Sequence, residues 1–178
     1  MPLYKTISFN SNTQIYVWKI TESYEQLQKE VVLNENSSLR LSSMKSVMHQ
    51  CGFLSVRNLL QEAGYSDTDL YYDPSGKPHL KDNKYISITH SHHFSAIIIS
   101  DVAVGIDIEL QRVKIIKIAH KFCDLEFEYL NAQTDDFIRK LTVIWGAKEA
   151  VFKIQNEKGI SFKNHSCCFH RYYQVYTK

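Results

Sequence analysis

Gly105-Ile106-Asp107-Ile108-Glu109 closes the apolar run Ala96 to Gly105 and reads as a buried β-strand. Side chains alternate across a strand, so Ile106 and Ile108 share one face while Asp107 and Glu109 share the other. Two carboxylates held close on one face repel each other unless something positive lies between them. A hard divalent cation such as Mg²⁺ answers that need with oxygen ligation. An isolated Asp-x-Glu is more often the wet side of an amphipathic strand, so the pentad needs support from elsewhere.

That support lies in Trp145-Gly146-Ala147-Lys148-Glu149-Ala150-Val151-Phe152-Lys153, within a helical pattern from Asp136 to Ile154. Trp145, Glu149 and Lys153 recur at i, i+4 and i+8, which places them along one side of that helix. A third carboxylate and a cation are thus presented together. Mg²⁺ takes six oxygens and readily draws part of them from substrate phosphates, and three carboxylates leave room for that.

These two stretches, about forty residues apart and in this order, resemble the signature of the 4′-phosphopantetheinyl transferase superfamily. Gly76-Lys77-Pro78-His79-Leu80 and Ile86-Ser87-Ile88-Thr89-His90-Ser91 are similar to its upstream motifs. The matches run from Gly76 to about Phe162, and the resemblance is closest to the larger, monomeric, surfactin-synthetase type. It implies an α+β fold of two pseudo-symmetric α/β halves with a cleft between them, residues 1–102 forming the first half and 103–178 the second. Coenzyme A would lie in the cleft.

The activity implied is Mg²⁺-dependent transfer of the 4′-phosphopantetheine arm of coenzyme A to a serine of an apo acyl or peptidyl carrier protein, releasing 3′,5′-ADP. By the same resemblance Asp107, Glu109 and Glu149 hold the metal. Glu149 also acts as the base, Lys153 serves the leaving group, and Lys77, Thr89, His90 and Lys148 contact coenzyme A. The family's usual Asn-x-Ser-His is Ser87-Ile88-Thr89-His90 here, which keeps hydroxyl donors while changing the phosphate hydrogen bonds. Lys158-Gly159-Ile160-Ser161-Phe162 matches the loop after the catalytic helix. Only sixteen residues follow it, so the second half reads as shortened: either its sheet is incomplete or Arg171 to Tyr176 supplies an abbreviated last strand.

Composition bounds the alternatives. Among 178 residues, 44% are hydrophobic and 22% charged, a globular balance in which no apolar run is long enough to span a bilayer. Met1-Pro2-Leu3-Tyr4-Lys5 lacks a secretory pattern, so a cytoplasmic protein is expected. A net charge of +2 is too small for a nucleic-acid footprint, and no membrane partner is expected. The cysteines Cys51, Cys123, Cys167 and Cys168 lack C-x-x-C spacing and fit a reduced compartment. His165, Cys167, Cys168 and His170 crowd together, but adjacent cysteines on an extended chain point apart, which argues against zinc. The histidines at 90, 92 and 93 likewise lack a supporting ligand at metal spacing.

Along the first half, Thr13 to Ile20 reads as a half-buried strand and Ser38 to Ala63 as one long helix stopped by Gly64. Arg40, Lys45 and Arg57 on that helix are read as solvated. Asp69 to Tyr72, Tyr85 to Ile88 and Ser95 to Ser100 read as strands, and Asp73 to Pro78 as a tight turn. Arg112 to Phe122 reads as a short helix with Lys114, Lys117 and Lys121 on one side, a surface suited to an acidic carrier. Cys123-Asp124 opens a further helical stretch that Asp124 could cap.

Two other functions stay open on the residues alone. Asp-x-Glu followed by Glu-x-x-x-Lys also suits a metal-dependent nuclease or phosphodiesterase. A shortened, poorly active relative that only binds coenzyme A or a carrier protein is the other. Two covalent halves already make a cleft, so a monomer is expected.

Overall fold

The computed structural model describes residues 3–155 and 162–163 of the chain. The expected loop from Lys158, the abbreviated strand at Arg171 to Tyr176 and the His165 to His170 cluster lie outside them, apart from Phe162. The fold is α+β. Its frame is a four-stranded antiparallel sheet in the order β1-β2-β6-β5, made of β1 (Leu3–Asn10), β2 (Thr13–Lys19), β6 (Phe94–Ser100) and β5 (Tyr85–Ser91). A two-stranded ribbon joins β3 (Leu70–Tyr72) to β4 (Pro78–Leu80). No helix among the described residues is long and apolar enough to cross a membrane.

Register fixes which side chains meet. Trp18 pairs with Ser95, Tyr16 with Ile97 and Gln14 with Ile99, while Ile86 pairs with Ile99 and Ile88 with Ile97. The resulting stripe of Trp18, Ile97, Ile99 and Ile86 is buried against α1 (Tyr24–Lys29), α2 (Glu35–Ser43) and α3 (Val47–Glu62). Helix α3 is the keystone, since every residue from Cys51 to Leu60 is buried and Leu54, Leu59 and Leu60 are fully so. Each such leucine contributes about 1.5–3 kcal/mol through the apolar surface it removes from water.

Two expectations change. The single helix from Ser38 to Ala63 is two, because Met44 turns extended at ψ 124°. Ser42 and Ser43 spend their hydroxyls on the carbonyls of Leu39 and Arg40, competing with helix propagation just before the break. Gly64, at φ +84°, ends α3 as expected. Arg57 is not solvated. It is 4% exposed, pairs with Asp67 Oδ1 at 3.0 Å and lies 3.5 Å over the Phe53 ring, while Asp67 also accepts from Ser37 and the Asn34 amide. Strand β1 goes unread in the sequence because it is a largely exposed edge strand in which only Leu3 and Ile7 are half-buried.

Beyond Ser100 the described residues add helices and extended chain but no strand. Residues 113–121 form a 3₁₀ helix with Lys114, Lys117 and Lys121 exposed, and residues 125–128 a second one, where Asp124 makes no side-chain cap. Helix α4 (Phe137–Gln155) packs with the first of these around a small core of Ala119, Phe122, Cys123, Leu141 and Ile144.

Candidate active site

The pentad is not a ladder strand, although its alternation survives. The amide of Ile106 donates to Ser87 Oγ at 3.2 Å and the amide of Ile108 to Thr89 Oγ1 at 3.2 Å. Hydroxyls of β5 thus intercept donors that would otherwise pair with backbone carbonyls, and the segment runs beside the sheet as extended chain. Residues two apart still point alike, so Asp107 and Glu109 both meet groups of α4.

Close packing holds the segment against that helix. A Cβ built on Gly105 would lie 1.9 Å from the Ala150 carbonyl oxygen and 3.1 Å from Ile154 Cγ1. The obstructing atom is helix backbone and cannot rotate aside. Gly105→Ala is therefore expected to destabilise the fold by about 2–4 kcal/mol, measured by urea unfolding. A loss below about 0.5 kcal/mol would show that the segment yields instead.

Asp107 is the centre of the cluster. Its side chain is 8% exposed, and Oδ1 accepts from Thr89 Oγ1 at 3.1 Å and from Lys153 Nζ at 2.9 Å. Lys153 also donates to the Ile106 carbonyl at 2.9 Å, so one ammonium pins backbone and carboxylate together. Asp107 Oδ2 is buried with no partner among the described residues. A Cβ on Gly146 would stand 3.4 Å from that oxygen, so glycine lets α4 approach it. Glu109 accepts from Trp145 Nε1 at 3.2 Å, and the indole is itself stacked on Phe162 and edge-on to Phe122.

The Glu149 carboxyl is pushed above its ordinary range, first by burial, then by the Asp107 charge, with Glu109 adding to this and Lys153 opposing it. Glu149 therefore feels the charges of both other carboxylates, which is what a cation would relieve. Among the described residues no group of three His, Cys, Asp or Glu side chains is placed to hold a metal ion. The orphaned Asp107 Oδ2 is itself a hard oxygen donor of the kind a divalent cation takes.

The raised pKa makes a stability prediction. The folded chain holds the Glu149 proton more tightly than the unfolded chain, so stability falls as pH rises from the ordinary glutamate range through the raised folded value. Glu149→Gln is expected to raise Tm near neutral pH with chelator present and to remove that decline. Melting curves from about pH 4 to about pH 8 check this; an unchanged or lower Tm would mean that the carboxylates are not crowded.

The residues expected at coenzyme A have partners within the chain. Thr89 is engaged in positioning, accepting from Ile108 and donating to Asp107. Lys148, expected at phosphate, is 3% exposed, lies 2.6 Å from Glu126 Oε1 and donates to the carbonyls of Phe122 and, at 2.9 Å, Phe162. This ammonium is spent on the fold. Burial acts to raise the Glu126 pKa, but the Lys148 hydrogen bond and the Asp124 amide outweigh it and hold the carboxyl below its ordinary range. Glu126 went unnoticed in the sequence, and only its place in the helical stretch after Cys123 could have flagged it.

Lys77 donates to the Ile154 carbonyl at 2.8 Å, at the end of α4. His90 is exposed at one edge but sits over Gly52, where a Cβ would meet its Cδ2 at 2.8 Å. Partial desolvation there, then the neighbouring His49 and Lys153, lower its pKa and so favour the neutral ring. His49 meets His90 edge-on at 6.3 Å between centroids and was not foreseen.

No curated protein matches the chain. The family model of the 4′-phosphopantetheinyl transferase superfamily matches residues 103–176. The match spans Asp107, Glu109, Trp145, Glu149 and Lys153, the residues that the fold brings together. The activity associated with that family is phosphopantetheinyl transfer, with coenzyme A as substrate and a carrier protein as partner. Residues 103–176 of this chain are thus similar to the 4′-phosphopantetheinyl transferase superfamily.

Proposed function

We propose that the chain transfers the 4′-phosphopantetheine arm of coenzyme A to a serine of an apo carrier protein, releasing 3′,5′-ADP. The observation that carries this reading is the unpartnered, buried Asp107 Oδ2, whose carboxylate is paired with Lys153 and raises the pKa of Glu149 on the same helix. Asp107, Glu109 and Glu149 would hold a Mg²⁺ ion, whose chemistry is to neutralise charge on the pyrophosphate.

The chain's own groups account for the rest. The carrier serine oxygen forms a bond to the β-phosphorus, and the bond from that phosphorus to the bridging oxygen breaks. Glu149 takes the serine proton, a role to which a raised pKa is suited. Lys153 stabilises or protonates the departing phosphate of 3′,5′-ADP. His90 supplies a phosphate contact and gains a proton more readily once an anion lies beside it. Thr89 keeps Asp107 oriented, and Trp145 does the same for Glu109. Exposed Lys114, Lys117 and Lys121 suit an acidic carrier.

The test is incubation with coenzyme A, Mg²⁺ and an apo carrier protein, followed by weighing the carrier. A mass gain of one arm per carrier, lost with chelator, is the expected result. Coenzyme A binding without mass gain would leave a binding protein in place of a transferase. Hydrolysis of a phosphodiester without transfer would favour a nuclease.

A further inference from the structure

The turn between β3 and β4 is built around one carboxylate. Asp73 Oδ1 accepts from the Ser75 amide at 2.8 Å, the Ser75 hydroxyl at 2.5 Å and the Lys77 amide at 3.0 Å, while Oδ2 lies 3.1 Å from His79 Nε2. Backbone bonds from Asp73 N to Lys77 O and from Gly76 N to Asp73 O close the loop, with Gly76 at φ +86°. Pro78 restricts Lys77 to extended backbone. The lysine is therefore launched from a fixed platform.

Its target is the Ile154 carbonyl, in the last turn of α4 (Phe137–Gln155). Carbonyls in the last turn of a helix commonly take donors from outside it. Lys77 Nζ reaches it from seventy-seven residues upstream and brings a cation to the negative end of the helix dipole. Ile154 also packs at Gly105 and directly follows Lys153, whose ammonium holds Ile106 and Asp107. The last turn of α4 is thus tied at both sides.

We propose that Lys77 is a positioning residue: by capping the Ile154 carbonyl it fixes the last turn of α4, and so sets Lys153 against Asp107. This role differs from a nucleotide contact. An ammonium held by a helix carbonyl acts on the reacting groups through α4, so its removal lowers turnover while coenzyme A recognition stays. The kinetic part rests on the transferase reading; the structural part does not.

The experiment compares the parent with Lys77→Met, Lys77→Arg and Asp73→Asn. Hydrogen exchange of the amides of residues 151–155 is followed together with kcat and KM for coenzyme A in arm transfer. Lys77→Met is expected to speed exchange there at least about tenfold and to lower kcat at least about tenfold, with KM within about twofold. Lys77→Arg, which reaches the same carbonyl, restores both, and Asp73→Asn reproduces the faster exchange by loosening the platform. Unchanged exchange in Lys77→Met overturns the proposal, as does a large rise in KM with kcat held, which would return Lys77 to the nucleotide. A parent without transfer activity would refute the transferase reading, and the exchange data would still decide the role of Lys77.

Discussion

Asp107→Ala is expected to lower arm transfer by about three orders of magnitude or more, the largest effect of any single change in the chain. The substitution deletes the unpartnered Oδ2 and the oxygen on which Thr89 and Lys153 converge. Asp107→Asn separates charge from shape, because an amide oxygen can still accept from Thr89 while the negative charge is gone. It should be nearly as inactive as the alanine variant yet melt closer to the parent. Single-turnover transfer to an apo carrier protein, with Mg²⁺ titrated by calorimetry, measures both. Full activity in Asp107→Asn would exclude this carboxylate as a metal ligand.

Lys153→Ala should lower turnover by about two orders of magnitude, with coenzyme A affinity falling less, as loss of help to a leaving group requires. The geometry adds a second effect. Without the ammonium, Asp107 keeps an 8% exposed side chain with only the Thr89 hydroxyl on Oδ1, and the Ile106 carbonyl loses its donor. Stability should drop by about 1–3 kcal/mol. A divalent ion replaces the missing positive charge, so it should return part of the lost Tm while leaving the rate low. Recovery of rate together with stability would mean that Lys153 serves the fold alone.

What the sequence revealed followed local rules. The apolar spacing from Asp136 to Ile154 gave α4 to within one residue at each end, and β2, β5 and β6 follow from alternating or continuous apolar runs. Asp107 and Glu109 were legible as a pair because period-two alternation survives the loss of the ladder. What stayed hidden depends on partners far along the chain. Arg57 looks like a solvated helix lysine analogue until Asp67 and Phe53 close over it. Lys148 sits one residue from Glu149, and only the fold reveals that Glu126 and two carbonyls claim it. The strand at 105–109 failed for a similar reason, since Ser87 and Thr89 present hydroxyls where a ladder would present carbonyls.

The environment of Trp145 has an optical consequence. The chain has two tryptophans, and Trp18, 2% exposed, lies in the core of the sheet. Trp145 instead donates to Glu109 and is bracketed by Phe122 and Phe162. With Trp18 replaced by phenylalanine, its emission becomes a single built-in fluorophore next to a carboxylate. A cation that draws charge from Glu109 alters the field along the indole and shifts that emission. Binding of a cation beside Glu109 can then be followed by emission wavelength, without substrate or turnover.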